Sequence, residues 1–191
     1  MDIETLENGI TIRPATEQDA PAFRELRLEA LRTHPEVFSA DYASAFDQPI
    51  AEWQDRLRSN DGIDSIVYLA TVENELVGMT GIARASSLKT RHNARIWGVY
   101  VRPDQRGRGV GMQLIRHCLA WASRQNVELV KLGVVSTNLA AIRCYSSCGF
   151  HVYGVEPKAI LHNNVYYDEL LMARETLLSE SGLGFEPALS G

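Results

Sequence analysis

The sequence predicts an α/β fold, a mixed central sheet of about seven strands with helices on both faces. Three observations carry that prediction. Segments of strand and helix periodicity follow one another as strand, two helices, three strands, helix, strand, helix, two strands. The stretch "LVKLGVV" is short and nearly continuously apolar, as a strand covered on both sides should be. The stretch "VYVRPDQRGRGVG", residues 99–111, passes from strand through a glycine-arginine turn into a helix start.

Element by element, "ITIRPAT" alternates apolar and polar residues like a half-buried strand. Thr16 followed by Asp19 reads as a capping box opening a helix, whose inward face carries Phe23, Leu26, Ala30 and Leu31. "HPEVFSADYASAF" is mixed in character and reads as a substrate-facing loop. "DQPIAEWQDRLRS" restarts the helical pattern, with Asp47 as N-cap and Ile50, Trp53 and Leu57 on one stripe. "SIVYLATV" and "LVGMTGIARA", joined by "ENE", form a hairpin, and "ARIWGVYV" is the next strand. The helix after the glycines runs to about Gln125 and buries Leu114, Ile115, Cys118, Leu119 and Ala122. A further helix runs from Asn138 to a glycine C-cap at Gly149, and "FHVYGVE" and "NVYYDELLMAR" close the sheet. Residues 1–173 are expected to form one domain, and residues 174–191 an extended or disordered tail.

Composition narrows the function classes. The chain has 191 residues, 45% of them hydrophobic, enough for one substantial core. A formal charge of -5 argues against a nucleic-acid partner. Three cysteines, an acidic N-terminus and no long apolar run point to a reduced, cytoplasmic protein with no membrane partner. Cys144, Cys148 and His151 have the spacing of metal ligands, but no second cluster offers a fourth, so no metal is expected.

The turn itself points to an anion site. A helix N-terminus presents amide N–H groups without intrahelical partners at the positive end of its dipole. Glycines before it let the backbone curl and let a bulky phosphate come close. Arg106 and Arg108 add charge beside Gly107, Gly109 and Gly111. A Walker loop would need Lys and Ser/Thr where Met112 and Gln113 stand, and the dinucleotide fingerprint G-x-G-x-x-G is absent. Read as R-x-x-G-x-G from Arg106, the turn resembles the coenzyme A loop of the GNAT N-acetyltransferase superfamily. "VSTNLAAIRCYSSCGFHVYG" resembles the family's second motif, and residues 10–173 fit the family plan.

The resemblance implies a direct transfer from acetyl-CoA to a primary amine of a small molecule or peptide. It implies that the fourth and fifth strands splay apart, that the backbone of Val99, Tyr100 and Val101 pairs with the pantetheine arm, and that the Val99 N–H faces the thioester carbonyl. Amides from Arg106 to Met112, including Val110, would hold the pyrophosphate. Asn138 would contact the cofactor arm or fix the splayed strand, and Tyr145 would protonate the departing thiolate. Family members often pair through their closing strands, which implies a homodimer. Where several members carry a glutamate as general base, this sequence has Arg95; His92, His151, Asp168 and Glu25 are candidates by residue type only. That departure keeps open a non-catalytic acyl-CoA-binding or sensor module. Trp53 and Trp97 read as packing residues, and Tyr166, Tyr167 and Asp168 as residues near the acceptor.

Overall fold

In the computed structural model, which describes residues 4–5, 9–59 and 62–176, a single sheet has the strand order β1-β2-β3-β4-β5-β6-β8-β7. The strands are β1 (Glu4–Thr5), β2 (Ile10–Pro14), β3 (Ser65–Val72), β4 (Glu75–Arg84), β5 (Asn93–Val101), β6 (Leu129–Val135), β7 (His151–His162) and β8 (Val165–Glu175). The helices are α1 (Ala20–Thr33), α2 (Tyr42–Asp47), α3 (Ile50–Arg58), α4 (Val110–Arg124) and α5 (Leu139–Ser147). The seven expected strands are all present, and the two-residue β1 adds an edge beyond β2.

Period-2 alternation in β3 divides the core. Ile66, Tyr68 and Ala70 pack with Leu114, Ile115 and Cys118 of α4, while Val67 and Leu69 pack with Phe23, Leu26 and Leu31 of α1 and Trp53 and Leu57 of α3. Helices therefore cover both faces. None of the helices among the described residues is long and apolar enough to cross a membrane.

Several boundaries differ from the sequence reading. Asp47 ends α2 instead of capping α3, whose N-cap is Pro49. The expected loop "HPEVFSADYASAF" contains α2, capped by Asp41, whose side chain accepts from the Ser44 N–H. β7 continues through "PKAILH" to a tight turn at Asn163 and Asn164, both with positive φ. β8 reaches Glu175, and residues 177–191 of the expected tail lie outside the described residues. The Thr16 capping box stands: Asp19 accepts from the Thr16 N–H at 2.8 Å.

Two features of β5 shape the region around Val99. Its pairing with β4 shifts register between Met79 and Gly81, opposite Tyr100 and Trp97, and Gly98 has φ +65°. The extra residue reverses side-chain parity: Ala94 and Ile96 face the α4 side, Tyr100 faces the α1 side, and Val99 and Val101 return to the α4 side. β5 also lies parallel to β6, but it pairs there only at Asn93↔Leu129, Ala94↔Val130 and Arg95↔Lys131. Beyond Arg95 the two strands diverge, while β6 stays paired with β8 as far as Val135↔Glu169.

A β-branched residue at the left-handed Gly98 position is strained by about 1–3 kcal/mol. Gly98→Val is therefore expected to lower the unfolding free energy by that amount, seen as a lower urea midpoint at an unchanged m-value.

Candidate active site

The left-handed turn at the end of β5 is built by its glycines. Gly107 and Gly109 have φ +76° and +85°, and Gly109 is the N-cap of α4. A Cβ at either would meet nothing within 4 Å, so backbone conformation and not crowding calls for glycine. The Gln113 N–H donates to the Gly109 carbonyl at 3.0 Å, so the amides of Val110, Gly111 and Met112 precede the first intrahelical acceptor. A cleft of about 610 Å³ runs along these residues.

This cleft collects most of the residues singled out in the sequence. Val99, Tyr100, Val101, Arg106, Gly107, Gly109, Val110, Gly111, Met112, Asn138 and Tyr145 all line it. Arg108 does not; its guanidinium donates to the Gln105 side-chain carbonyl. Arg106 bends back over the strand end, donating from Nε to the Val101 carbonyl at 3.0 Å, with Nη2 2.9 Å from His34 Nε2. The Tyr100 side chain faces away, donating to Glu29 Oε1 at 2.8 Å. Asn138 caps α5, its Oδ1 accepting from the Ala141 N–H at 3.2 Å.

A smaller cavity of about 180 Å³ adjoins the cleft at the divergence. Val37, Phe38, Val99, Asn138 and Tyr145 line both spaces, so the two meet at the splayed strands. Tyr145 is 6% exposed and packs edge-on against Phe150, with ring centroids 6.3 Å apart. Its hydroxyl has no hydrogen-bond partner among the described residues. Burial, reinforced by the thiols of Cys144, Cys148 and Cys118, pushes its pKa up, so it stays a proton donor throughout the neutral range.

The smaller cavity contains a carboxylate that the sequence reading missed. Glu169 of β8 lines it together with Arg27, Arg95 and Trp97. A Cβ on Gly133 would stand 2.5 Å from Glu169 Oε2, so the missing side chain there makes room for the carboxylate. Burial raises the Glu169 pKa and Glu156 adds to the rise, while Arg95 opposes it. Glu25, His92, His151 and Asp168 line neither cavity. Asp168 accepts from the Lys158 N–H at 2.7 Å, across the irregularity between Glu156 and Ile160. Tyr166 and Tyr167 also lie off the cavities, Trp97 lines the smaller one, and Trp53 is fully buried against Phe23. In "VYYDELLMAR" successive side chains point to opposite faces, so choosing Glu169 over Asp168 required the register of the closing hairpin.

Comparison with known proteins finds relatives in one family. An uncharacterized N-acetyltransferase of Methanocaldococcus jannaschii is 28% identical over 155 residues, covering 78% of this chain and 64% of that protein. An L-methionine sulfoximine/L-methionine sulfone acetyltransferase of Salmonella typhimurium is 26% identical over 152 residues, covering 78% of this chain and 84% of that enzyme. The first relatives are matched over less than two thirds of their own length, between 35% and 64%. The fold superposes with a TM-score of 0.78 on yncA, a putative acetyltransferase of Salmonella typhimurium solved with its cofactor acetyl-CoA, at 21% identity over 92% of this chain and 99% of that one. The profile of the Acetyltransferase (GNAT) family matches residues 22–150, and the chain belongs to that family.

Proposed function

We propose that this chain is an N-acetyltransferase that passes the acetyl group of acetyl-CoA directly to a primary amine. One observation carries the reading: two cavities border the divergence of β5 and β6 and share Val99, Asn138 and Tyr145 in their linings. One cavity has a glycine-built helix N-terminus suited to a diphosphate, and the other holds a carboxylate suited to an amine.

The fit to the cofactor rests on backbone. Past Arg95, β5 has no strand beside it on the β6 side, and unpaired peptide groups there favour an amide-bearing arm over an apolar one. Val99, Tyr100 and Val101 would pair with that arm, and Arg106, Gly107, Arg108, Gly109, Val110, Gly111 and Met112 would hold the pyrophosphate through their amides. When bound, acetyl-CoA supplies the activated thioester. With the register shift at Gly98 beside it, the Val99 N–H would face its carbonyl oxygen, where a fixed donor stabilises developing negative charge without reorganising.

Glu169 takes the proton of the attacking nitrogen. Its raised pKa makes it a better base than an ordinary carboxylate near neutrality. As the carbon–nitrogen bond forms and the carbon–sulfur bond breaks, Tyr145 gives its proton to the sulfur. The carboxylate favours the enzymatic reading over an acyl-CoA sensor, since binding alone needs no base on the acceptor side. Val152, Tyr153, Val155, Leu161 and Tyr166 leave an exposed apolar surface on the β7–β8 hairpin, at a sheet edge, which supports a homodimer.

Titration calorimetry of the full chain with acetyl-CoA is expected to show uptake at a single site, and no uptake overturns the assignment. Tyr145→Phe is expected to lower kcat by about 10²-fold with acetyl-CoA affinity unchanged. With acetyl-CoA saturating, kcat/KM should rise with pH through a limb above the ordinary carboxylate range as Glu169 loses its proton; Glu169→Gln should remove that limb. Sedimentation equilibrium should give twice the chain mass.

A further inference from the structure

The smaller cavity holds a charge that the protein leaves unanswered. Arg27, on α1, is stacked over Phe38 with its guanidinium carbon 4.6 Å from the ring centroid. Its Nη1 is sealed from solvent, and it has no hydrogen-bond partner. Neither an ion pair nor a side-chain hydrogen bond satisfies this guanidinium among the described residues. Burial, with the nearby charge of Arg56, pushes its pKa down to about 10, so it remains a cation at neutral pH. A buried cation without a partner costs far more than one whose donors are met, and a planar guanidinium is best met by a carboxylate.

Its position fixes what else the carboxylate's molecule carries. Nη1 lies 3.5 Å from where a Cβ on Gly98 would sit, one residue before Val99. A carboxylate on Arg27 therefore lies beside the Gly98–Val99 backbone, the stretch proposed to face the acyl carbonyl. An amine attached to the neighbouring carbon of that carboxylate falls within reach of the carbonyl carbon. Glu169, on another wall of the same cavity, suits the ammonium form before attack. A space of about 180 Å³ holds a small molecule and not a folded partner.

The geometry points to a free α-amino acid as the acceptor, its carboxylate held by Arg27 and its amine directed to the thioester at Val99. A peptide N-terminus has an amide in place of that carboxylate and would leave Arg27 unpaired. This assignment rests on the acetyltransferase reading above.

The test is thiol release by the full chain with acetyl-CoA, across the free L-amino acids, their amides and short peptides, with acetyl-CoA uptake measured on the same preparations. At least one amino acid is expected to exceed its own amide by about 10–100-fold in kcat/KM, the range of a charge-assisted pair. Arg27→Met should abolish that preference mainly through KM, and Arg27→Lys should restore part of it. Four outcomes overturn the assignment while the acetyltransferase reading stands or is judged separately: equal turnover of acid and amide by the wild type, a preference that survives in Arg27→Met, faster transfer to peptides, or acetyl-CoA uptake with no amino acid acetylated. Failure to take up acetyl-CoA overturns the underlying reading itself. The acid–amide comparison needs no variant, so it stands even if Arg27→Met does not fold.

Discussion

The site depends on a ladder that stops. β5 and β6 run parallel and pair at only three positions, ending at Arg95 and Lys131. Each strand is held from its outer side, β5 by β4 as far as Gly78↔Val101 and β6 by β8 as far as Val135↔Glu169. The divergence is therefore set by two intact antiparallel ladders and does not close by collapse. Backbone groups along the opening keep their need for partners.

Around that opening the chain divides its tasks by chemical type. On the α4 side most of the work falls to main chain: a left-handed turn at Gly107 and Gly109, then the unpartnered amides that open a helix. On the α1 side it falls to charged side chains, Arg27, Arg95 and Glu169, around a small cavity. Recognition by backbone suits a ligand shared across a family. Recognition by side chains suits a part that differs from one member to the next.

The bulge at Gly98 connects the two sides. One extra residue turns Tyr100 into the α1 core, where its hydroxyl reaches Glu29, and leaves Val99 and Val101 on the α4 side. Tyr145 and Asn138 reach the same point from α5, whose start is fixed by the Asn138 cap. The chain is acidic as a whole, with a formal charge of -5, yet the small cavity concentrates two guanidinium groups. Net charge thus says little about local electrostatics.

The order of strands and helices, the capping box at Thr16 and Asp19, the glycine turn at residues 107–111 and the cap at Asn138 were legible in the sequence, because each depends on residues close together in the chain. The GNAT resemblance singled out Val99, Gly109 and Tyr145, and in the structure all three line one cleft. Local rules could not place Glu169, because choosing it over Asp168 depends on the pairing of β8 with β6 and β7 and on the irregularity where Asp168 accepts from the Lys158 N–H. Nor could they find α2 or the bulge at Gly98, where tertiary packing and not periodicity decides the conformation. Arg27 looked like one more polar residue on an amphipathic helix. Only the approach of Phe38 and Gly98, each distant from it along the chain or across the sheet, turned it into a buried cation without a partner.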